Sequence, residues 1–135
     1  MIQLWKIMVL FPIFLLTNHS GPEPGQDDTN KQIASALIAG NAVALSGYFN
    51  TMVDLGISGN EDTYSLTQAT QILKDFFTKN PVKSFKITRQ GASTDGSQFS
   101  IGEMKAGTET FRVYYLLKKN SGKFLIQQLQ IQKEK

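Results

Sequence analysis

Arg89, Glu103, Tyr115 and Gln127 are the residues of this chain whose types and placement could do chemistry, because each breaks an otherwise apolar strand face in the C-terminal half. A carboxylate beside a phenol can take up and return a proton, and a guanidinium can steer an anion toward both. Glu103 as general base, Tyr115 as hydrogen-bond donor and Arg89 as anion guide would make the site of a small lyase, isomerase or hydrolase. Proximity of Arg89 to Glu103 works against this, since it favours an ion pair over a free base. A buried charge must be paired or hydrated, so on that face Arg89 and Glu103 either form an ion pair near the rim or line a wet cavity between sheet and helices, whereas the plainer reading is that all four are strand-end residues reaching solvent. Tyr48, Tyr64 and Asp54 are lesser candidates for the same cavity, and each has an ordinary structural explanation.

Other chemistries lack their residues. The chain has no cysteine and one histidine. That histidine, His19, lies in the N-terminal segment, so the domain itself offers no imidazole base, no thiolate or histidine-ligated metal site and no Ser-His-Asp arrangement. No glycine-rich phosphate loop is present, and no cofactor or metal is expected.

These residues must be positioned by a small set of elements. The run Ile7 to Leu16, ten residues long and preceded by Lys6, is short for a membrane span, which needs about 20 apolar residues, and suits the core of a signal peptide. Residues 1–20 are expected to be that peptide, which implies an exported protein, periplasmic or extracellular, with no membrane anchor after cleavage. A Pro- and Gly-containing stretch over 21–28 is expected to be a flexible lead-in. One domain then spans 29–133, near the common domain size.

Ile33, Ala34, Leu37 and Ile38 recur at helical spacing, and Gly40-Asn41 supplies a stop followed by a new N-cap. A second short helix follows, with Leu45, Tyr48 and Phe49 on one face. Alternation over 52–58 predicts a strand, and Ser58 to Asp62 a polar turn. The best-marked helix follows: Ser65 and Gln68 form a capping box, Leu66, Ala69, Ile72, Leu73, Phe76 and Phe77 trace a stripe, and Asn80-Pro81 ends it. Four antiparallel strands are expected at 83–92, 98–106, 110–119 and 123–133.

The connecting loops set which residues share a face, because a one-residue slip moves every side chain to the other side. A three-residue loop at Thr94-Asp95-Gly96, with Gly96 left-handed, groups Phe85, Ile87, Phe99 and Ile101. Three-residue loops at Ala106-Gly107-Thr108 and Asn120-Ser121-Gly122 add Glu103, Phe111, Val113, Tyr115, Leu117, Leu125, Leu129 and Ile131, with Tyr115 opposite Gln127 and Arg89 diagonal to Glu103. Helices must cover that side. On the other side Met104, Tyr114, Leu116, Phe124 and Ile126 form an apolar cluster with polar neighbours, which reads as a homodimer surface.

Charge divides along the chain. Residues 21–81 carry three lysines against seven acids, and residues 82–135 carry ten Lys and Arg against four acids. The basic residues are scattered singly along alternating strands, which suits a solvated sheet face better than nucleic-acid binding.

The order helix, helix, strand, helix, four strands resembles the nuclear transport factor 2-like fold, an α+β cone in which N-terminal helices pack on a curved antiparallel sheet. The strings Ala39-Gly40-Asn41-Ala42, Tyr48-Phe49-Asn50, Gln71-Ile72-Leu73-Lys74-Asp75-Phe76-Phe77, Asn80-Pro81, Lys83-Ser84-Phe85-Lys86-Ile87 and Leu125-Ile126-Gln127-Gln128-Leu129 resemble an exported bacterial family known only as a domain of unknown function within that superfamily. The resemblance spans residues 29–133 and implies a fold and an export route but no activity. With no acid–base pair marked, the balance leans away from an enzyme and toward a non-catalytic module. Such a module would bind a small apolar or amphipathic ligand in the cone, or a protein partner through the sheet.

Overall fold

The computed structural model describes residues 24–135, so the expected signal peptide and the first three residues of the lead-in lie outside the described residues. Helix α1 (Pro24–Ala39) begins earlier than the spacing predicts and takes Pro24 to Asp28 into its first turns. Ile33, Ala36 and Leu37 are its buried face. It stops where Gly40 turns left-handed at φ +59°, with the Gly40 amide donating to Leu37 and the Asn41 amide to Ala36. This is a Schellman ending. Asn41 then caps α2 (Ala42–Ser46), accepting from the Ala44 amide at 3.0 Å.

Helix α2 is shorter than expected, because Gly47 ends it and Phe49 already starts strand β1 (Phe49–Ile57). The expected polar turn at 58–62 is only two residues long. Ser58 (φ +50°) and Gly59 (φ +92°) both adopt left-handed backbone, the geometry of a tight hairpin, and β2 (Asn60–Ser65) folds back along β1. Helix α3 (Leu66–Lys79) has the anticipated reciprocal capping box between Ser65 and Gln68. Ala69, Leu73, Phe76 and Phe77 are buried along its stripe.

Strands β3 (Val82–Ala92), β4 (Gln98–Ala106), β5 (Glu109–Asn120) and β6 (Lys123–Lys133) complete a six-stranded sheet of order β2-β1-β6-β5-β4-β3. The sheet is mixed, not wholly antiparallel, since β1 and β6 run parallel. All three helices contribute to one core against one face of the sheet, giving two layers, with the other face uncovered among the described residues.

Register corrects two expectations. The loop at Thr94-Asp95-Gly96 forms as anticipated, closed by the Ser93 amide on the Ser97 carbonyl, with Gly96 at φ +85°. The next turn does not. Ala106 pairs with Glu109, so Gly107-Thr108 is a two-residue turn with Gly107 left-handed in its first position. That one-residue difference turns β4 over: Ser100, Gly102, Met104 and Ala106 face the helices, and Phe99, Ile101 and Glu103 face away. A bulge between Ile87 and Arg89 then returns Phe85 to the core, opposite Met104.

The last hairpin also turns on two residues, Ser121 and Gly122, with Asn120 paired to Lys123. A second irregularity in β6 leaves Gln127 between the pairs Leu117–Ile126 and Leu116–Gln128. Near the turn Ile126, not Leu125, enters the core. Past the bulge Val113, Tyr115, Leu129 and Ile131 lie inward as expected.

Candidate functional site

The four residues singled out by type divide between the two faces of the sheet. Tyr115 is fully buried among the helices and lies opposite Ser100 and Leu129, not Gln127. Its hydroxyl donates to Asn30 Oδ1 at 3.0 Å, and the Ser100 hydroxyl reaches the same oxygen at 3.4 Å. Gln90 donates to Ser100 from β3 at 3.3 Å. Burial pushes the Tyr115 phenol above its ordinary value, opposed only by its interaction with Ser100. It therefore stays neutral and acts as a donor that ties α1 to the sheet. Gln127, half-buried in its bulge, accepts from Asn50 Nδ2 at 3.2 Å.

Arg89 and Glu103 are neighbours as expected, but on the uncovered face. Both are exposed. Arg89 is paired with Ile101 and Glu103 with Arg112 and Lys86. With Arg112, Thr88 and Glu134 they edge a shallow notch of about 240 Å³. Glu103 and Tyr115 thus point to opposite sides of adjacent strands, and no single cavity can hold base, donor and anion guide together. The turn at Gly107 is the physical reason. Among the described residues no cluster of His, Cys, Asp or Glu could hold a metal ion.

The expected dimer surface is redrawn by the two-residue turns at Gly107-Thr108 and Ser121-Gly122. Met104 and Ile126 are fully buried in the core. Phe124 packs half-buried against that core, with the Lys119 ammonium 5.6 Å from its ring centroid. Tyr114 and Leu116 do lie on the uncovered face, and they are joined there by Phe99 and Ile101, their direct partners across β4 and β5. The Phe99 and Tyr114 rings stack at 6.5 Å with 23° between their planes. The Phe99 ring lies over Gly91, where an added Cβ would meet it at 2.5 Å. These four apolar side chains, each half-buried, form one block across β4 and β5 toward the β3 edge of that face.

The margins of that block differ in charge. On the β1–β2 side Asp54 accepts from the Thr63 hydroxyl at 2.6 Å. Glu61, opposite Gly56 across the hairpin, accepts from Gln130 at 3.2 Å and Gln128 at 3.4 Å. On the β3 side stand Lys86 and Arg89, with Glu103 on β4 lying between Lys86 and Arg112 in the register.

A separate hollow of about 370 Å³ opens between α3 and the β1–β2 hairpin. Leu55, Ile57, Ile72 and Phe76 line its floor, and Tyr64, Asn60 and Asn80 stand at its edge beside the Asp75–Lys79 ion pair. Tyr48, the other tyrosine considered from sequence, donates its hydroxyl to Gln32 on α1.

Asn30 and Phe99 are the residues sequence reasoning missed or misplaced. Asn30 lies three and seven residues before Ile33 and Leu37, on the same helical stripe, so its spacing does carry a signal of burial. Phe99 depends on the turn.

A family model described as a domain of unknown function, DUF4783, matches residues 30–132. A DUF4783 family protein from Bacteroides ovatus is 33% identical, with a TM-score of 0.73 over 77% of this chain and 94% of that chain. One from Bacteroides uniformis is 30% identical, with a TM-score of 0.74 over 78% of this chain and 96% of that one. A nuclear transport factor 2-like protein of unknown function from Cytophaga hutchinsonii shares the fold at 11% identity and a TM-score of 0.59, over 84% of this chain and 93% of that chain. No curated protein matches the chain.

Proposed function

The chain belongs to the DUF4783 family and has its nuclear transport factor 2-like fold, and from that premise we propose that it is an exported, non-catalytic module that docks a protein on the uncovered face of its sheet. The observation that carries this is the block Phe99, Ile101, Tyr114 and Leu116, four half-buried apolar side chains held together where no helix of the described residues packs. Apolar patches with polar margins on an otherwise charged surface mark association sites. Separation of Glu103 from Tyr115 supports the non-catalytic half of the reading.

A photo-crosslinking amino acid at Leu116, introduced in the producing cell, tests the docking face. One discrete protein adduct is expected there and none at exposed Lys74 on α3; no adduct at Leu116 sinks the reading. Export is tested by cell fractionation with N-terminal sequencing. A periplasmic or extracellular chain beginning near residue 21 is expected, and a cytoplasmic chain retaining Met1 overturns it.

A second reading is favoured by the hollow between α3 and the hairpin. Its volume lies at the lower end of small-ligand sites, and its apolar floor with a few edge amides and a phenol suits a small amphipathic molecule. Titration with indole, followed through the Tyr64 and Ile72 NMR signals, should give saturable shifts that Ile72→Glu abolishes. Unchanged spectra at millimolar indole remove this reading.

A further inference from the structure

We infer that the notch at the β3 bulge is a binding site for a free α-amino acid with an apolar side chain. The charged groups that make it belong neither to the apolar block nor to the hollow between α3 and the hairpin, so the site stands or falls apart from both.

The bulge builds the notch. Lys86 and Arg89 are an odd number of residues apart and would lie on opposite faces of a regular strand. The irregularity between Ile87 and Arg89 puts both on the uncovered face, Lys86 level with Glu103 and Arg89 level with Ile101. The Thr88 hydroxyl donates to the Ile101 carbonyl at 3.2 Å, which ties the bulged residue to β4. On the far side Arg112 stands level with Glu103, and the Glu134 amide donates to the Thr110 carbonyl at 2.8 Å, which holds that residue beside β5. Two guanidiniums and two carboxylates thus edge one space of about 240 Å³.

These four groups do not satisfy one another. Among the described residues the side chains of Arg89, Arg112, Glu103 and Glu134 make no ion pair and no hydrogen bond, although Glu103 and Arg112 are direct cross-strand neighbours. Opposite charges that line one space and leave it open suit a ligand that carries both signs. Arg89 is the cation freer to take a carboxylate, because its partner across the strands is the apolar Ile101, and a guanidinium grips a carboxylate through two parallel N–H bonds. Glu103 then accepts from an ammonium. Ile101 shares the wall of the notch and lies level with Tyr114, which gives a side chain an apolar bed. The volume falls below the about 300 Å³ at which sites for drug-sized ligands begin, so the ligand is a single residue in size. A free apolar amino acid carries carboxylate, ammonium and side chain on one carbon and meets all three surfaces.

Titration of the isotope-labelled chain, isolated from the producing cell, with phenylalanine, with hydrocinnamate, which lacks the ammonium, and with phenethylamine, which lacks the carboxylate, tests this through the Thr88, Ile101 and Gly102 amide NMR signals. Saturable shifts are expected with phenylalanine at millimolar concentration, and binding weaker by about tenfold or more with each analogue. Glu103→Gln should erase the advantage of phenylalanine over hydrocinnamate, and Arg89→Gln its advantage over phenethylamine. Both residues are exposed, and circular dichroism checks that each variant folds. Hydrocinnamate binding as tightly as phenylalanine overturns the amino acid and leaves an anion site. Shifts that neither variant alters overturn the notch as the place of binding, and spectra unchanged by phenylalanine up to its solubility overturn the inference entirely.

Discussion

Replacing Asn30 with Ala should cost the domain more than its size suggests, because Asn30 Oδ1 is the shared acceptor of two hydroxyls in the core. Tyr115 is 0% exposed, Ser100 2% and Asn30 itself 6%, so water does not readily substitute for the lost amide. A buried donor left without its partner costs about 1–3 kcal/mol. Ser100 remains close enough to take part of the Tyr115 hydrogen bond, which places the expected loss near the middle, about 2 kcal/mol. Tyr115→Phe removes the donor and leaves Asn30 with Ser100, so about 1 kcal/mol is expected. The double variant should lose less than the sum of the two, since the orphaned hydroxyl is then gone, with a coupling of about 1 kcal/mol. Urea denaturation of the four proteins measures all three terms through the midpoint at constant slope. Single losses that add with no coupling, or an Asn30→Ala loss below about 0.5 kcal/mol, would refute the hub.

Gly102→Ala should destabilise by about 1–3 kcal/mol, because the added Cβ would stand 2.5 Å from the Phe85 ring and 2.7 Å from the Lys86 carbonyl oxygen, which is backbone; thermal unfolding reads this, and an unchanged midpoint would contradict the close packing. Tyr115 also gives a pH dependence. Its folded value is raised, so the unfolded chain releases this proton first and stability should fall as pH rises above about 10, with Tyr115→Phe removing that part of the slope; denaturation at pH 9 and 11 compares them. Asp95 is held below its ordinary value by the Ser97 hydroxyl first and the Ser97 amide second. Its contribution is therefore present above pH 3.8 and lost as the pH falls, and Ser97→Ala should move the Asp95 NMR titration back up toward 3.8.

Local signals in the sequence were read correctly where one residue type has one structural use. Gly40-Asn41 ends one helix and caps the next, and Ser65 with Gln68 caps α3. Hairpin turns are different, since Ala106-Gly107-Thr108 can close on two residues or three, and apolar matching alone favours the wrong one. Choosing three misassigned all of β4 and carried Glu103 to the helix side and Met104 to the open side. In β6 the expected face holds only past Gln127, because the two-residue turn and the bulge there shift the register twice; between the turn and the bulge Ile126 takes the inward place expected of Leu125. Bulges cannot be read from Thr88 or Gln127 as residue types. Strand β2 was hidden because Asn60, Glu61, Asp62 and Thr63 lack an apolar alternation, as suits a sheet edge. Asn30 was legible by spacing alone, and the convergence of Ser100 on it required the corrected register.

The parallel pairing of β1 with β6 has a consequence for how this domain comes into being. The first strand of the sheet has two neighbours, β2 beside it in sequence and β6 at the far end of the chain. A chain delivered from its N-terminus, by a ribosome or through a membrane pore, can build the β1–β2 hairpin early, but β6 emerges last. Leu55 and Ile57 pair with Leu129 and Ile131, so the hairpin side of the core stays open until then. Such distant pairings make for slow closure and for folding that waits on the whole chain. Truncation before β6 would therefore leave two half-sheets and not a smaller domain, and the polypeptide remains threadable for the entire time it is being delivered.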